Sequence, residues 1–581
     1  MSYLLGVTVG PIQINIQKSR KLRELYNSSK IVSDMMKKVI EYLKIRDETL
    51  KIIYPSIKDV NDTKTDITNY LICEINNIDD LKDMRERVFD ELKISVLEEI
   101  YFMFWTVEPL EEYSKTYKKL TKKLRSIKNT YEFKNYEKDV RIKKKCSLCG
   151  ERITEDASKL CEVCNCKRNY NQTSNWKNNN KGEKYKSVYD ISIDVWKEKY
   201  NEDLLSLNKN LEDLFNNTSR YYSLDTVSNI IKCLKIDPKK VRKEKEIDED
   251  LENPKMESIE LIAELKNIRC ELESIYLRGE KPVSKPHYKY CFIQIDVDDL
   301  GKWISGEYNY EEEDLKESQI QISKALCSFA YKLKEEFKNS KTKVIYAGGD
   351  DFLAVLPVEC LLNTLKIIEE IFKSTVQNDI DNSLNYSQKI SYSASVTIAN
   401  CKDEMALALR KNREALEKVK NRYYSKNGIC INYIINTSKI IDMFLSKDYF
   451  NEYVDNLRYF KKVEKYISFT YVDAIENEFN KMKFEDLKTD DFLNIKDMLL
   501  LEFERHLNLN KNKVPKDNKE GNENFLEYFK IHTRLFENII NDNEIDEKID
   551  FINIINCFRI YKKLTDFQFK EEAKWDEVSK N

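Results

Sequence analysis

The sequence predicts an α+β chain made of two ferredoxin-like palm domains, a zinc-binding insertion and helical domains. Three observations lead there. From Lys285 onward the hydrophobic pattern runs strand, helix, two strands, helix, strand, helix, strand, which describes a palm-type sheet with helices on one face. The N-terminus opens with another strand that feeds a long amphipathic helix. Two Cys-x2-Cys pairs crowd into one short segment. Only 11 glycines and 9 prolines in 581 residues favour long helices over an all-β fold.

Taken in order, "YLLGVTVG" (Tyr3–Gly10) reads as a buried strand, followed by a helix with Pro11 at its first turn. "IYFMFWTV" (Ile100–Val107) is a second strand, followed by a Lys-rich helical pattern. Residues 1–140 read as one α/β domain. Residues 141–175 hold Cys146, Cys149, Cys161 and Cys164, whose spacing puts four thiolates within reach of one tetrahedral Zn2+. All four positions come from the protein, so this zinc is structural. Cys166 is a spare that could replace Cys164. Asn169–Lys184 reads as a polar loop. Residues 176–284 read as a helical domain broken by a charged linker, Asp237–Lys255. Residues 285–436 form the second palm, and 437–581 read as helical throughout, with a polar break at Leu509–Asn524. The aromatic stretch Tyr449–Val472 reads as core.

The chemistry concentrates in "KVIYAGGDDFLAVLP" (Lys343–Pro357). Gly348 and Gly349 permit a tight turn between two apolar arms and let a ligand approach the backbone. Asp350 and Asp351 follow at the tip. Upstream, "FIQIDVDDL" ends in Asp296, Asp298 and Asp299. In a palm-like sheet those two strand ends are adjacent. Carboxylates so placed repel and tend to protonate unless a cation neutralises them. Mg2+ or Mn2+, hard and commonly shared with substrate phosphates, suits the site. Two such metals can activate a hydroxyl and stabilise leaving pyrophosphate. Asp296 and Asp350 are the expected ligands, with Asp351 assisting; Asp298 and Asp299 could instead cap the next helix. Among the basic residues of the helix after Met405, Lys420 is the candidate triphosphate contact, and Arg410, Lys411, Arg413 and Lys418 read as its wet face.

Lys+Arg 98 against Asp+Glu 101 gives a net charge of -3, so nucleic-acid binding cannot be argued from net charge. No apolar run is long enough to cross a membrane. The N-terminus lacks a signal peptide's basic region and cleavage site. A cytoplasmic protein with reduced thiols is expected.

"DVDDLGKWISG", "YAGGDDFLAVLP", "SYSASVTIAN" and the helix closing at "KVKNRYYSKNGICI" resemble the second palm of the large signalling subunit of type III CRISPR effector complexes, Cmr-type branch. "VTVGPIQINIQKSRKLRELYNSSKIVSDMM" resembles that family's first palm entry. The resemblance covers nearly the whole chain in order. It implies an ATP-consuming nucleotidyltransferase, switched on when the complex of other CRISPR subunits and guide RNA binds target RNA. Its product would be a cyclic oligoadenylate, or an AMP conjugate of S-adenosylmethionine acting on a separate effector. Carried over, Asp296 and Asp350 would hold metal, Gly348 and Gly349 would line the nucleotide, and Ser28 and Ser29 would meet the acceptor nucleotide. Ser395 stands where the family usually has Gly, which alters acceptor recognition or is a silent swap. Many relatives begin with a histidine–aspartate nuclease; this chain has only His287, His506 and His532 and no His-Asp pair, so no DNase activity is expected. Two other readings are a catalytically silent scaffold of the same complex and a stand-alone nucleotide cyclase.

Overall fold

A computed structural model describes residues 2–56, 66–79, 81–129, 145–154, 160–173, 187–200, 286–308, 315–383, 388–423, 426–468, 470–480, 492–511, 514–515, 518–542, 544–545 and 548–568. The charged linker and nearly all of the helical region read at 176–284 lie outside these residues.

The N-terminal unit contains β1 (Tyr3–Gly10), β2 (Lys51–Tyr54), β3 (Tyr70–Ile75) and β4 (Phe102–Pro109). Their order is β2-β3-β1-β4, and every neighbouring pair is antiparallel. Helix Leu22–Arg46 connects β1 to β2, and helix Met84–Glu91 lies between β3 and β4. This is the ferredoxin-like β-α-β-β-α-β arrangement. The short strands "KIIY" and "YLICEI" complete it, although only β1 and β4 are marked by long apolar runs.

The second sheet repeats the plan. It contains β5 (Lys289–Val297), β6 (Lys343–Gly348), β7 (Asp351–Pro357), β8 (Tyr392–Asn400), β9 (Gly428–Asn436) and β10 (Lys439–Ser446). Their order is β10-β9-β8-β5-β7-β6. Helices Leu315–Phe337 and Leu361–Phe372 cover the face bearing Cys291, Ile293 and Ile295, while helix Met405–Arg422 covers the face bearing Tyr290 and Phe292. β8 and β9 are parallel because that last helix returns the chain across the sheet.

Two sequence expectations are corrected. The sheet does not stop at 436: "KIIDMFLS" is β10, an edge strand paired with β9. Its alternation is blurred because helix Phe551–Gln568 packs along it. Asn553 donates to Phe444 O at 2.8 Å and accepts from Phe444 N at 2.7 Å, and Asn556 donates to Asp442 O at 2.9 Å. In addition, Asn169–Thr173 is not loop; it continues helix Glu162–Thr173. That helix is held against helix Leu22–Arg46, where Asn27 donates to the carbonyls of Lys167 and Arg168.

The C-terminal helices Phe450–Val463, Thr470–Asn480, Phe492–Lys511, Lys519–Asp542 and Phe551–Gln568 share one continuous core with the second palm. Tyr453, Phe460 and Tyr471 are buried there, as the aromatic pattern predicts. His532 bridges Tyr471 Oη (2.9 Å) and Asn456 Oδ1 (2.6 Å); burial pushes its imidazole down to about 3, so it is a neutral core residue.

Asn553→Ala leaves the N–H of Phe444 unpaired and its C=O with only the long contact from Cys557 Sγ at 3.7 Å, and the expected loss is on the order of 1–2 kcal/mol. Urea unfolding should show a lower midpoint with an unchanged slope.

Candidate functional site

Pairing of β5 with β7 sets Asp296 opposite Asp351, and pairing with β8 sets it opposite Ser393. The β6–β7 turn then carries Gly349 and Asp350 beside them. Gly349 has φ +64°, in the left-handed region, and a Cβ there would lie 2.7 Å from Thr68 Cγ2 and 3.4 Å from Tyr54 Oη. A Cβ on Gly348 would run into the Tyr346 ring. Tyr54 and Thr68 belong to the first palm, so the GGDD turn is seated between the two palms. Asp66, also from the first palm, accepts from Ala347 N at 3.2 Å and binds Lys334 at 2.6 Å. Apolar packing of Leu4, Tyr54 and Leu120 against Ile304 and Leu315 holds the same junction.

The acidic tip is electrostatically costly. Burial, followed by the Asp296 charge, pushes Asp350 up to about 6. Asp351 is raised by burial and by Asp350 and Asp296, and Asp296 is raised by burial. A cation is already drawn in: Lys420 Nζ lies 2.6 Å from Asp296 Oδ1. The expected triphosphate contact is therefore an ion-pair partner of the expected metal ligand. Among the described residues the group gathered as a metal cluster is the four cysteines, not these three carboxylates. Still, the donor set fits a hard divalent ion: oxygen only, partly desolvated, mutually repelling, and attracting an ammonium group. Asp296, Asp350 and Asp351 are the residues that could hold it.

Asp298 is neither ligand nor cap. It is buried, and its carboxylate accepts from Ser391 Oγ (2.7 Å), Ser393 Oγ (2.7 Å) and Asn427 N (3.1 Å). Asp299 occupies the N-cap position of helix Leu300–Ser305 with φ 51° but makes no side-chain cap bond; it pairs with Lys426 at 2.6 Å. Sequence reasoning missed Asp66, Thr68, Lys426 and Asn427. "KNG" is a turn signal that could have marked the last two; nothing marks Asp66 or Thr68.

Ser28 and Ser29 are buried in helix Leu22–Arg46, and the Ser28 hydroxyl donates to Glu24 O at 2.7 Å. Ser395 is fully buried on the Asp296 face of β8, opposite Gln294 and Cys430, and its hydroxyl has no partner. Lys411, Arg413 and Lys418 make ion pairs with Glu414, Glu417 and Asp442, and the Arg413 charge also acts on Asp351 and opposes its upward shift.

The sulfurs of Cys146, Cys149, Cys161 and Cys164 all lie within 4.8 Å of one another, with Cys149 and Cys161 at 3.9 Å. Four sulfurs ~2.3 Å from one zinc lie ~3.8 Å apart, so the cluster is shaped to hold that ion. Cys166 stays outside it, packed against the first-palm core. Lys167, buried, donates to Asn15 O at 3.0 Å, and Arg168 Nε binds Glu24 at 2.8 Å, which docks this segment on the first palm.

The family model for the Cas10/Cmr2 second palm domain matches residues 289–430, and that for the N-terminal region of the CRISPR-associated protein Cmr2 matches residues 4–132. By these two matches the chain is similar to the Cmr-type branch of the Cas10 proteins. The CRISPR system Cmr subunit Cmr2 of Pyrococcus furiosus is 27% identical over 336 residues, covering 49% of this chain and 35% of that protein. The chain therefore spans about a third of the length of the curated relative it matches. Two solved Cmr-beta type III-B structures share the fold. The apo state gives a TM-score of 0.54 at 14% identity, covering 97% of this chain and 82% of the other. The state bound to cognate target RNA gives 0.55 at 15%, covering 97% and 83%. No helix among the described residues is long and apolar enough to cross a membrane.

Two outcomes are expected. Asp350 is protonated more readily folded than unfolded, so its contribution to stability is present below pH 3.8 and lost as pH rises through about 6. In metal-free buffer, Asp350→Asn should gain stability relative to the wild type over that window, read by urea melts at stepped pH. Cys161→Ser should lose bound zinc by elemental analysis and open the 145–173 region to proteolysis.

Proposed function

We propose that this chain is the nucleotidyltransferase subunit of an RNA-guided type III-B antiviral complex, and that it uses ATP to make a nucleotide second messenger. The observation that carries this reading is the placement of the GGDD turn: Asp350 and Asp351 lie beside Asp296 on one side, and Gly349 abuts Tyr54 and Thr68 of the first palm on the other. In this reading a donor ATP would bind on the acidic side and an acceptor ribose would be presented from the first-palm side. That acceptor belongs to a second ATP, giving a 3′–5′ linked ring, or to S-adenosylmethionine.

Bound Mg2+ or Mn2+ would supply charge neutralisation for the hydroxyl nucleophile and the departing pyrophosphate. Asp296, Asp350 and Asp351 would hold it. Lys420 releases Asp296 and turns to the triphosphate, where its ammonium offsets developing charge. Gly348 and Gly349, whose missing side chains let the turn seat against Tyr346, Thr68 and Tyr54, would meet the nucleotide through their backbone. Ser395 lies on the same sheet face, two residues from Ser393, where its unpaired hydroxyl can influence what the acceptor side accommodates. The four-cysteine segment is structural. Partner subunits and guide RNA present the target RNA that turns the site on.

The test uses the reconstituted complex with matching target RNA, Mg2+ or Mn2+ and labelled ATP, with and without S-adenosylmethionine, and identifies products by mass spectrometry. Asp350→Ala with Asp351→Ala should abolish product, by at least 100-fold. Gly349→Ala should also reduce product strongly without unfolding the chain, because the added methyl strikes Thr68 and the left-handed turn resists a side chain. ATP left unconsumed under either metal would leave the chain as a scaffold.

A further inference from the structure

The end of helix Met405–Arg422 is tied on both sides. Toward the acidic tip, Lys420 holds Asp296 at 2.6 Å. Just beyond the helix, Lys426 holds Asp299 at 2.6 Å, and Asn427 N donates to Asp298 at 3.1 Å. Toward the C-terminal helical domain, Arg422 Nη1 binds Asp550 at 2.9 Å, and Tyr423 Oη donates to Asp542 at 3.0 Å. Asp542 closes helix Lys519–Asp542, and Asp550 immediately precedes helix Phe551–Gln568. Ser446 N, at the end of β10, donates to the same Asp542 carboxylate at 2.8 Å. Lys420 and Arg422 lie in the last turn of the helix and Tyr423 directly follows it, so whatever shifts the anchors shifts the lysine with them.

The connection is also conformationally taut. Asp299, Lys426 and Asn427 are all non-glycine residues with positive φ (51°, 56° and 45°). They cluster where the two sides meet, and the Lys426–Asp299 pair with the Asn427–Asp298 hydrogen bond holds a backbone that side-chain-bearing residues rarely adopt.

Resting on the proposed metal site, we infer that Arg422 and Tyr423 are positioning residues through which the C-terminal domain sets how firmly Lys420 occupies Asp296. A divalent ion arriving at Asp296 meets the Lys420 ammonium, a like charge that has to leave. Anchors that fix the helix end keep the lysine in place. A shift of the C-terminal domain that slackens them frees Asp296 for metal.

The experiment measures Mn2+ affinity of the intact chain by electron paramagnetic resonance and, separately, amide hydrogen exchange of β5 peptides without metal. Arg422→Gln and Tyr423→Phe should each tighten Mn2+ binding about three-fold or more and speed exchange at the end of β5. Lys420→Ala should tighten it at least as much. The double variant Lys420→Ala with Arg422→Gln should bind no more tightly than Lys420→Ala alone, because the anchor acts only through the lysine. If Arg422→Gln does not fold, Tyr423→Phe, which removes one hydroxyl, carries the test. Wild-type binding that is unchanged in both anchor variants, or an anchor effect that persists in the Lys420→Ala background, overturns the positioning role while leaving the metal site standing. An absence of Mn2+ binding in every variant overturns the metal site and the inference together.

Discussion

Repulsion among Asp296, Asp350 and Asp351 is the constraint around which the second palm is arranged. Antiparallel pairing of β5 with β7 forces Asp296 and Asp351 side by side, and the turn adds Asp350. Nothing in a hydrophobic hairpin favours that placement. The structure responds with countercharge from the opposite element: Lys420 on Asp296 and Lys426 on Asp299. A third neighbour, Asp298, is treated differently. It is buried and satisfied by two serine hydroxyls and a backbone N–H, and so becomes a rivet between β5, β8 and the turn before β9. Five carboxylates in one short stretch of space thus differ in the partners each receives, a distinction that residue type does not carry.

The two palms share a topology but divide their tasks. The second holds the acidic tip, whereas the first presents Asp66, Thr68 and Tyr54 to the back of the GGDD turn. Asp66 accepts from the backbone of Ala347 and pairs with Lys334, so it fixes both the strand that leads into the turn and the helix beneath it. A turn braced from outside its own domain depends on domain docking for its geometry. Leu22 and Leu25, packed with Phe292 and Val355 of the second sheet, strengthen that dependence.

Much of this was legible in the sequence because its signals are local. The acidic strand end, the Gly-Gly-Asp-Asp turn and the paired Cys-x2-Cys knuckles each announce themselves within a few residues. β2 and β3 were not legible, being short strands whose apolar character depends on neighbours. β10 was missed because helix Phe551–Gln568 covers its outer edge and permits apolar residues on both faces. The roles of Asp298 and Ser28 depend on partners far along the chain, or on a backbone carbonyl one helical turn away, and no spacing rule reports those. Lys420 was found as a cation near the site, but its resting partner follows only from the way the helix lies across the sheet.

The covering of β10 has a consequence for how this chain meets other proteins. An open edge strand invites a strand from a neighbouring molecule. Here the outward groups of Phe444 are occupied by Asn553, the carbonyl of Asp442 by Asn556 and the N–H of Ser446 by Asp542. The large sheet is closed to lateral growth on that side by the chain's own C-terminal helices. Neighbours there must recognise helix surfaces and side chains instead of backbone, and a chain cut short before residue 551 would expose a sticky margin with a strong tendency to self-associate.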